Sequence, residues 1–147
     1  YVSVGRKRGG QKKDTLANIE FSKDFVVNIV NEDLAEVMNL SSTEFTSEVD
    51  EFTETGLTST KADVVASPML AESPVNLECR LYNVMEFGEL PRGSSVVIGE
   101  VVQVHIKDDL FADGGIHAPT LRALGRHSGN LYCRTTDLIE MERPSLP

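Results

Sequence analysis

The sequence predicts an α+β domain. Its core is an antiparallel β-sheet with strands long enough to curl into a small closed or nearly closed barrel, and short helices lie at its edges. Two observations carry this. The strand-like stretches Leu77–Phe87 and Ser95–Ile106 are separated only by the turn segment Gly88–Gly93, which makes them an antiparallel hairpin. Ser95–Ile106 is apolar on both faces, as a central strand is, and Gly99 inside it marks a bulge or a sharp bend. At 147 residues the chain reads as one domain, residues 1–147, large enough for a real core.

The elements follow in order. Tyr1–Val4 is the end of a strand. Gly5–Lys12 is a glycine-rich basic loop. Asp14–Ile19 opens a short helix with Asp14 and Thr15 at its start and Leu16 and Ile19 on one face. Asp24–Val30 is a short apolar strand. Asn31, Glu32 and Asp33 begin a second helix, in which Leu34, Val37 and Met38 share a face through Leu40. Ser41–Lys61 is a long surface excursion with one helical turn, anchored by Phe45, Val49, Phe52 and Leu57. Val64–Leu70 is extended and interrupted by Pro68. In the next strand Leu77, Cys79, Leu81, Met85 and Phe87 face the core, Glu78, Arg80, Tyr82 and Glu86 face outward, and Asn83 alone spoils the alternation. Asp108–Gly115 is a loop, Thr120–Leu124 a short helical piece and Asn130–Arg134 a last strand.

Charge is unevenly placed. The net charge is -9, yet Arg6, Lys7, Arg8, Lys12 and Lys13 all fall before Asp14, the first acid. The remainder is therefore strongly acidic, which argues against non-specific nucleic-acid binding and for a small anion at one local site. A strand feeding a basic glycine loop into a helix start is a physical recipe for a phosphate: unpaired N–H groups, the helix dipole and whole charges converge there. A solvated basic loop with an ordinary helix cap is the other reading. Gly125-Arg126-His127-Ser128-Gly129 is a second glycine-flanked basic loop, readable as an anion or ring contact or as a plain turn.

Other chemistry is sparse. His105 lies in a strand, where a structural role is expected, and His117 in a loop reads as exposed. Glu78 is expected to pair with Arg80 or the basic loop. Cys79 and Cys133 lie far apart and read as buried free thiols, compatible with a reducing cytoplasm. No run of His, Cys and carboxylates has metal-ligand spacing. No apolar run approaches the ~20 residues of a membrane helix.

Five segments, in order, resemble the flavin reductase-like FMN-binding split-barrel family, which includes proteins of the nitrilotriacetate monooxygenase component B type. They are Ser3-Val4-Gly5-Arg6 with Lys13-Asp14-Thr15 and Asn18-Ile19; Phe25-Val26-Val27-Asn28; Glu72-Ser73-Pro74-Val75 with Leu77-Glu78-Cys79; Ile98-Gly99-Glu100-Val101-Val102 with Val104-His105-Ile106; and Gly125-Arg126 with Gly129 and Tyr132. The resemblance implies an antiparallel split β-barrel with short flanking helices. Family members carry further N-terminal strands that also contact the flavin, so the barrel of this chain is expected to be incomplete at its N-terminus. His127 departs from the apolar residue usual at its place.

The resemblance implies FMN as cofactor. Its phosphate would lie at the helix start on Lys13, Thr15 and backbone N–H groups, with Ser3 and Arg6 nearby. Asp14 belongs to the same motif and is expected to cap the helix. Arg126, Gly129 and Tyr132 would pack around the flavin or serve a site across a homodimer. Hydride from NADH or NADPH would pass to flavin, and electrons to free flavin or a partner oxygenase. Two further functions stay open: an FMN carrier or electron-transfer protein without efficient NAD(P)H oxidation, and a cofactor-free interaction domain.

Overall fold

A computed structural model of the chain describes residues 1–89 and 91–145. Its frame is a four-stranded antiparallel sheet in the order β1 (Val2–Gly5), β6 (Ser94–Ile106), β5 (Val75–Phe87), β2 (Asp24–Asn28). The sheet is curled into a half-barrel rather than closed. The expected hairpin is its centre: β5 and β6 are neighbours throughout, joined by the turn at Gly88–Gly93, of which Leu90 lies outside the described residues. Helix α1 (Asp14–Ser22) connects the two edge strands β1 and β2. Its apolar stripe, Leu16 and Ile19, packs with Val4, Phe25, Cys79 and Val97 to form the core.

Two bulges shape the central hairpin. Leu81 pairs with Gly99 and Asn83 with Ile98, so Tyr82 is the extra residue on β5; Val102 is the extra residue on β6. Gly99 is required where the sheet is pinched. A Cβ there would lie 2.5 Å from the Phe25 ring and 3.1 Å from Cys79 Cβ.

The Tyr82 bulge corrects the expected strand phase. Beyond it Val84 packs on the core, while Met85 and Phe87 are 43% and 49% exposed. Glu86 moves with Val84 to the core-facing side, where its carboxylate accepts from the buried Ser95 hydroxyl and from Arg6.

The 62–73 segment also differs from expectation. Residues 64–67 are not extended. They belong to a bend in which five successive backbone N–H groups point at two carboxylates: Asp63, Val64 and Val65 donate to Glu78, and Ala66 and Ser67 donate to Asp24. Only Met69–Leu70 (β4) is a strand, paired with Ser59–Thr60 (β3). This bend covers the outer face of β5, so Asn76 and Glu78 are buried there.

The remaining elements are small. Asn31 caps a 3-10 turn at Glu32–Leu34 that leads into α2 (Ala35–Ser41). The helical turn in the excursion is α3 (Glu51–Thr55), capped by Asp50 and ended by Gly56 at φ 68°. The 108–116 loop contains the ribbon β7 (Phe111–Ala112) and β8 (Gly115–Ile116). The late helix is α4 (Ala118–Leu121), a little earlier than expected. The glycine-flanked segment supplies a strand, β9 (Leu124–Arg126), which pairs with β10 (Tyr132–Arg134). Both cysteines are free; Cys79 is buried, whereas Cys133 is only partly so.

Candidate functional site

Because α1 crosses from one sheet edge to the other, its first turn opens into the gap between them. A groove of about 760 Å³ lies there, lined by Ser3 of β1, by Lys13, Asp14 and Thr15 at the start of α1, and by Phe45 and Phe52 of the excursion. A smaller cleft of about 310 Å³ adjoins it and shares Lys13, Asp14, Thr15 and Phe45. The helix start is thus common to both spaces.

The chemistry of that start is specific. The N-cap position is Lys13, in extended conformation, and no side chain caps the helix. The first-turn N–H groups at Asp14 and Thr15 therefore face the groove end without a capping oxygen. Asp14, expected as the cap, is the first helical residue instead, and its carboxylate accepts from Lys7 Nζ at 2.9 and 3.0 Å. Lys12 is likewise paired, with Glu20 at 2.7 Å. Lys13 takes part in no side-chain hydrogen bond or ion pair among the described residues. So of the cations flanking the helix start, Lys13 has a free ammonium.

Arg6 is placed differently. It does not line the groove; its side chain is 8% exposed and paired with Glu86. Its Nε and Nη1 are buried without a hydrogen-bond partner among the described residues. It ties the start of the basic loop to the end of β5.

Arg126 and Tyr132 line a second groove, of about 890 Å³, between α2 and the β9–β10 hairpin. The Arg126 guanidinium lies 4.8 Å from the centre of the Tyr132 ring and donates to its hydroxyl. It also donates to the Gly129 carbonyl at 2.9 Å and the His127 carbonyl at 3.3 Å. Arg126, Gly129 and Tyr132 thus brace one loop, and the structure does not bring them into the groove at the start of α1.

His105 has the structural partner expected of it: Nε2 lies 2.6 Å from Glu78 Oε1. Glu78 corrects expectation. It is fully buried and pairs with neither Arg80 nor the basic loop. Burial pushes its carboxyl up, but the His105 contact and the N–H groups of Asp63, Val64 and Val65 outweigh that and hold it at about 2. Asp24 is held below its ordinary value in the same way, burial being outweighed by the Ser67 hydroxyl and the N–H groups of Ala66 and Ser67. Asp63, Glu78 and His105 place ligand atoms within 4.8 Å of one another, a grouping that sequence spacing did not reveal. Both Glu78 oxygens already accept backbone N–H groups, so the cluster anchors a loop. Burial pushes the Cys79 thiol up, away from reactivity. His117 is exposed and contacts Thr120 Oγ1.

Comparison with known proteins agrees with this architecture. Residues 2–135 match the flavin reductase-like domain. A protein of Halalkalibacterium halodurans is 39% identical over 99% of this chain and 70% of its own length. Nitrilotriacetate monooxygenase component B from Bacillus cereus superposes with a TM-score of 0.89 at 29% identity, over 95% of this chain and 70% of that one. The Pseudomonas fluorescens 2-nitrobenzoate 2-nitroreductase superposes at 0.83 with 31% identity, over 99% and 69%. The chain belongs to the flavin reductase-like family and has its split-barrel fold. It spans between 61% and 72% of the length of such curated relatives. No helix among the described residues is long and apolar enough to cross a membrane.

Proposed function

We propose that this chain is the FMN-binding domain of a flavin reductase-type oxidoreductase. The observation that carries the proposal is the uncapped start of α1, with the free ammonium of Lys13 beside it, opening into a groove of about 760 Å³. That volume is within the range of small-molecule and cofactor sites. The FMN phosphate is held by Lys13, by the Thr15 hydroxyl and by the first-turn N–H groups, with Ser3 on the facing edge strand. Asp14 serves indirectly, by holding Lys7 beside the same helix start. Arg6 acts through the backbone, fixing the basic loop against β5.

When bound, the flavin supplies the hydride and electron chemistry. The chain's own residues bind and orient it and shield one side of it from water. Hydride comes from NADH or NADPH, and the electrons leave to free flavin or to a partner oxygenase. The family membership and the likeness to a monooxygenase component support that direction. A homodimer in the cytoplasm, with Arg126, Gly129 and Tyr132 bracing a loop near the shared face, completes the reading.

Consumption of NADH and of NADPH, followed at their near-ultraviolet absorbance with FMN added, tests it. FMN-dependent consumption is expected with one of the two. FMN binding without any consumption would assign the chain to electron carriage instead.

A further inference from the structure

Beyond β10 the chain continues as an arm. Residues 136–145 form no helix or strand. Leu138, Ile139 and Met141 on this arm are 52%, 82% and 81% exposed. Single apolar side chains on a surface are ordinary, but these follow one another closely and make a patch that the chain itself leaves largely uncovered. Acids stand between and beside them, at Asp137, Glu140 and Glu142, and Arg143 is the base of the same segment.

The arm starts at the rim of the groove between α2 and the β9–β10 hairpin. Arg134 lines that groove, and the next residue is tied down, the Thr135 hydroxyl donating to the Ala123 carbonyl at 2.7 Å. The arm then leads away from its own groove, since no described residue beyond Arg134 lines it. The groove nevertheless complements the arm in polarity and in charge. Ala35, Met38 and Leu124 give it an apolar lining. Arg126 and Arg134 give it positive charge that the chain leaves under-matched. The Arg126 guanidinium donates only to neutral oxygens, the Tyr132 hydroxyl and the Gly129 and His127 carbonyls. The Arg134 side chain is 76% exposed and shares its partner Glu32 with Arg122. In a chain of net charge -9, such arginines beside one groove attract acids from outside it. Glu36 is the acid of the lining, and it complements Arg143 of the arm.

We infer that residues 137–143 of one copy seat in this groove of a second copy, which returns its own arm in the same way. The contact is isologous and closes as a two-fold dimer, and exchange of an identical segment is a low-cost route to one. Leu138, Ile139 and Met141 leave water for the apolar lining, and the acids between them meet Arg126 and Arg134. The inference rests on the homodimer reading above and goes beyond it by naming the surface and the segment that fills it.

The groove carries its own reporter, because Cys133 lines it and is only partly buried, whereas Cys79 is buried. The Ile139→Cys variant of the 147-residue chain is prepared with and without nitrogen-15, mixed, and oxidised mildly with copper phenanthroline. Peptide mapping by mass spectrometry is expected to find residue 133 joined to residue 139, with labelled and unlabelled halves combined. Addition of Cys133→Ser is expected to abolish that linkage. Sedimentation measures the contact without any crosslink. Ile139→Ser with Met141→Ser, on an arm outside the core, is expected to weaken self-association at least about tenfold with an unchanged circular dichroism spectrum. Self-association as tight in the serine variant as in the parent overturns the exchange and leaves the homodimer reading standing. Linkages from 133 to 139 found only within one isotope place the arm in its own groove and overturn the exchange as well. A parent chain that stays monomeric overturns both.

Discussion

Glu78 shows what one residue does in this fold. It is an acid in the middle of an apolar strand, yet it is fully buried, because four donors converge on its two oxygens. Its folded-state carboxyl sits at about 2 against an ordinary 4.5. A lowered value means the folded state binds its proton less readily than the unfolded chain. Its stabilisation is therefore complete above the ordinary carboxylate range and is lost as pH falls toward 2. Asp24 acts in the same direction on the same bend. Glu78→Gln, which keeps the shape and removes the charge, is expected to cost about 1–3 kcal/mol at neutral pH. Its melting temperature should also fall less steeply than the parent's between about pH 5 and pH 2. Equal slopes in the two proteins would remove Glu78 from the account of acid sensitivity. Nothing in the spacing of the sequence shows this role, because three of the four donors are backbone groups brought in from 13–15 residues upstream and the fourth is His105 on the neighbouring strand. The only visible signal is a lone acid among Val75, Leu77 and Cys79.

At the scale of the element, β5 carries the clearest lesson. Its first half alternates as the sequence suggests, with Leu77, Cys79 and Leu81 toward the core. The bulge at Tyr82 then adds one residue and reverses every later position. Asn83, the residue that breaks the expected row, lies at the bulge and was the available signal for it. The consequence is measurable. Val84→Asp should destabilise the chain by about 2–3 kcal/mol, whereas Met85→Asp should stay within about 0.5 kcal/mol of the parent in denaturant titration. The reverse order would restore the uninterrupted alternation. Short elements were the least legible. β9 was hidden because Gly125 reads as a turn residue, whereas its missing side chain makes room for Cys133: a Cβ would lie 2.6 Å from that sulfur. The bend at 63–67 was hidden because its apolar residues suit a strand, and only the two distant carboxylates turn it.

For the whole molecule, the arrangement that matters is the gap between the sheet edges β1 and β2, crossed by α1. The hairpin, the central place of β6, the pinch at Gly99 and the α1 stripe were all legible, because hydrophobic period and glycine placement carry them directly. The start of α1 at Asp14, just after the glycine-rich basic loop, was legible too, although its lack of a capping side chain was not. What was not legible was which cations pair: Lys7, Lys12 and Arg6 are matched by Asp14, Glu20 and Glu86, and only folding decides that Lys13, at the helix start itself, is left without a partner among the described residues. The lining of the groove by Phe45 and Phe52 was likewise not legible, since the sequence marks them only as anchors of a polar excursion and does not show what they face.

Calorimetric titration of FMN into the parent chain and into the Lys13→Ala, Thr15→Ala variant bears most directly on the central claim. Loss of charge-assisted hydrogen bonds should cost about 1.5–3 kcal/mol, or about a ten- to 150-fold weaker affinity, with the fold unchanged by circular dichroism. Equal FMN affinity in the two proteins would contradict the account, and would move the phosphate away from the start of α1.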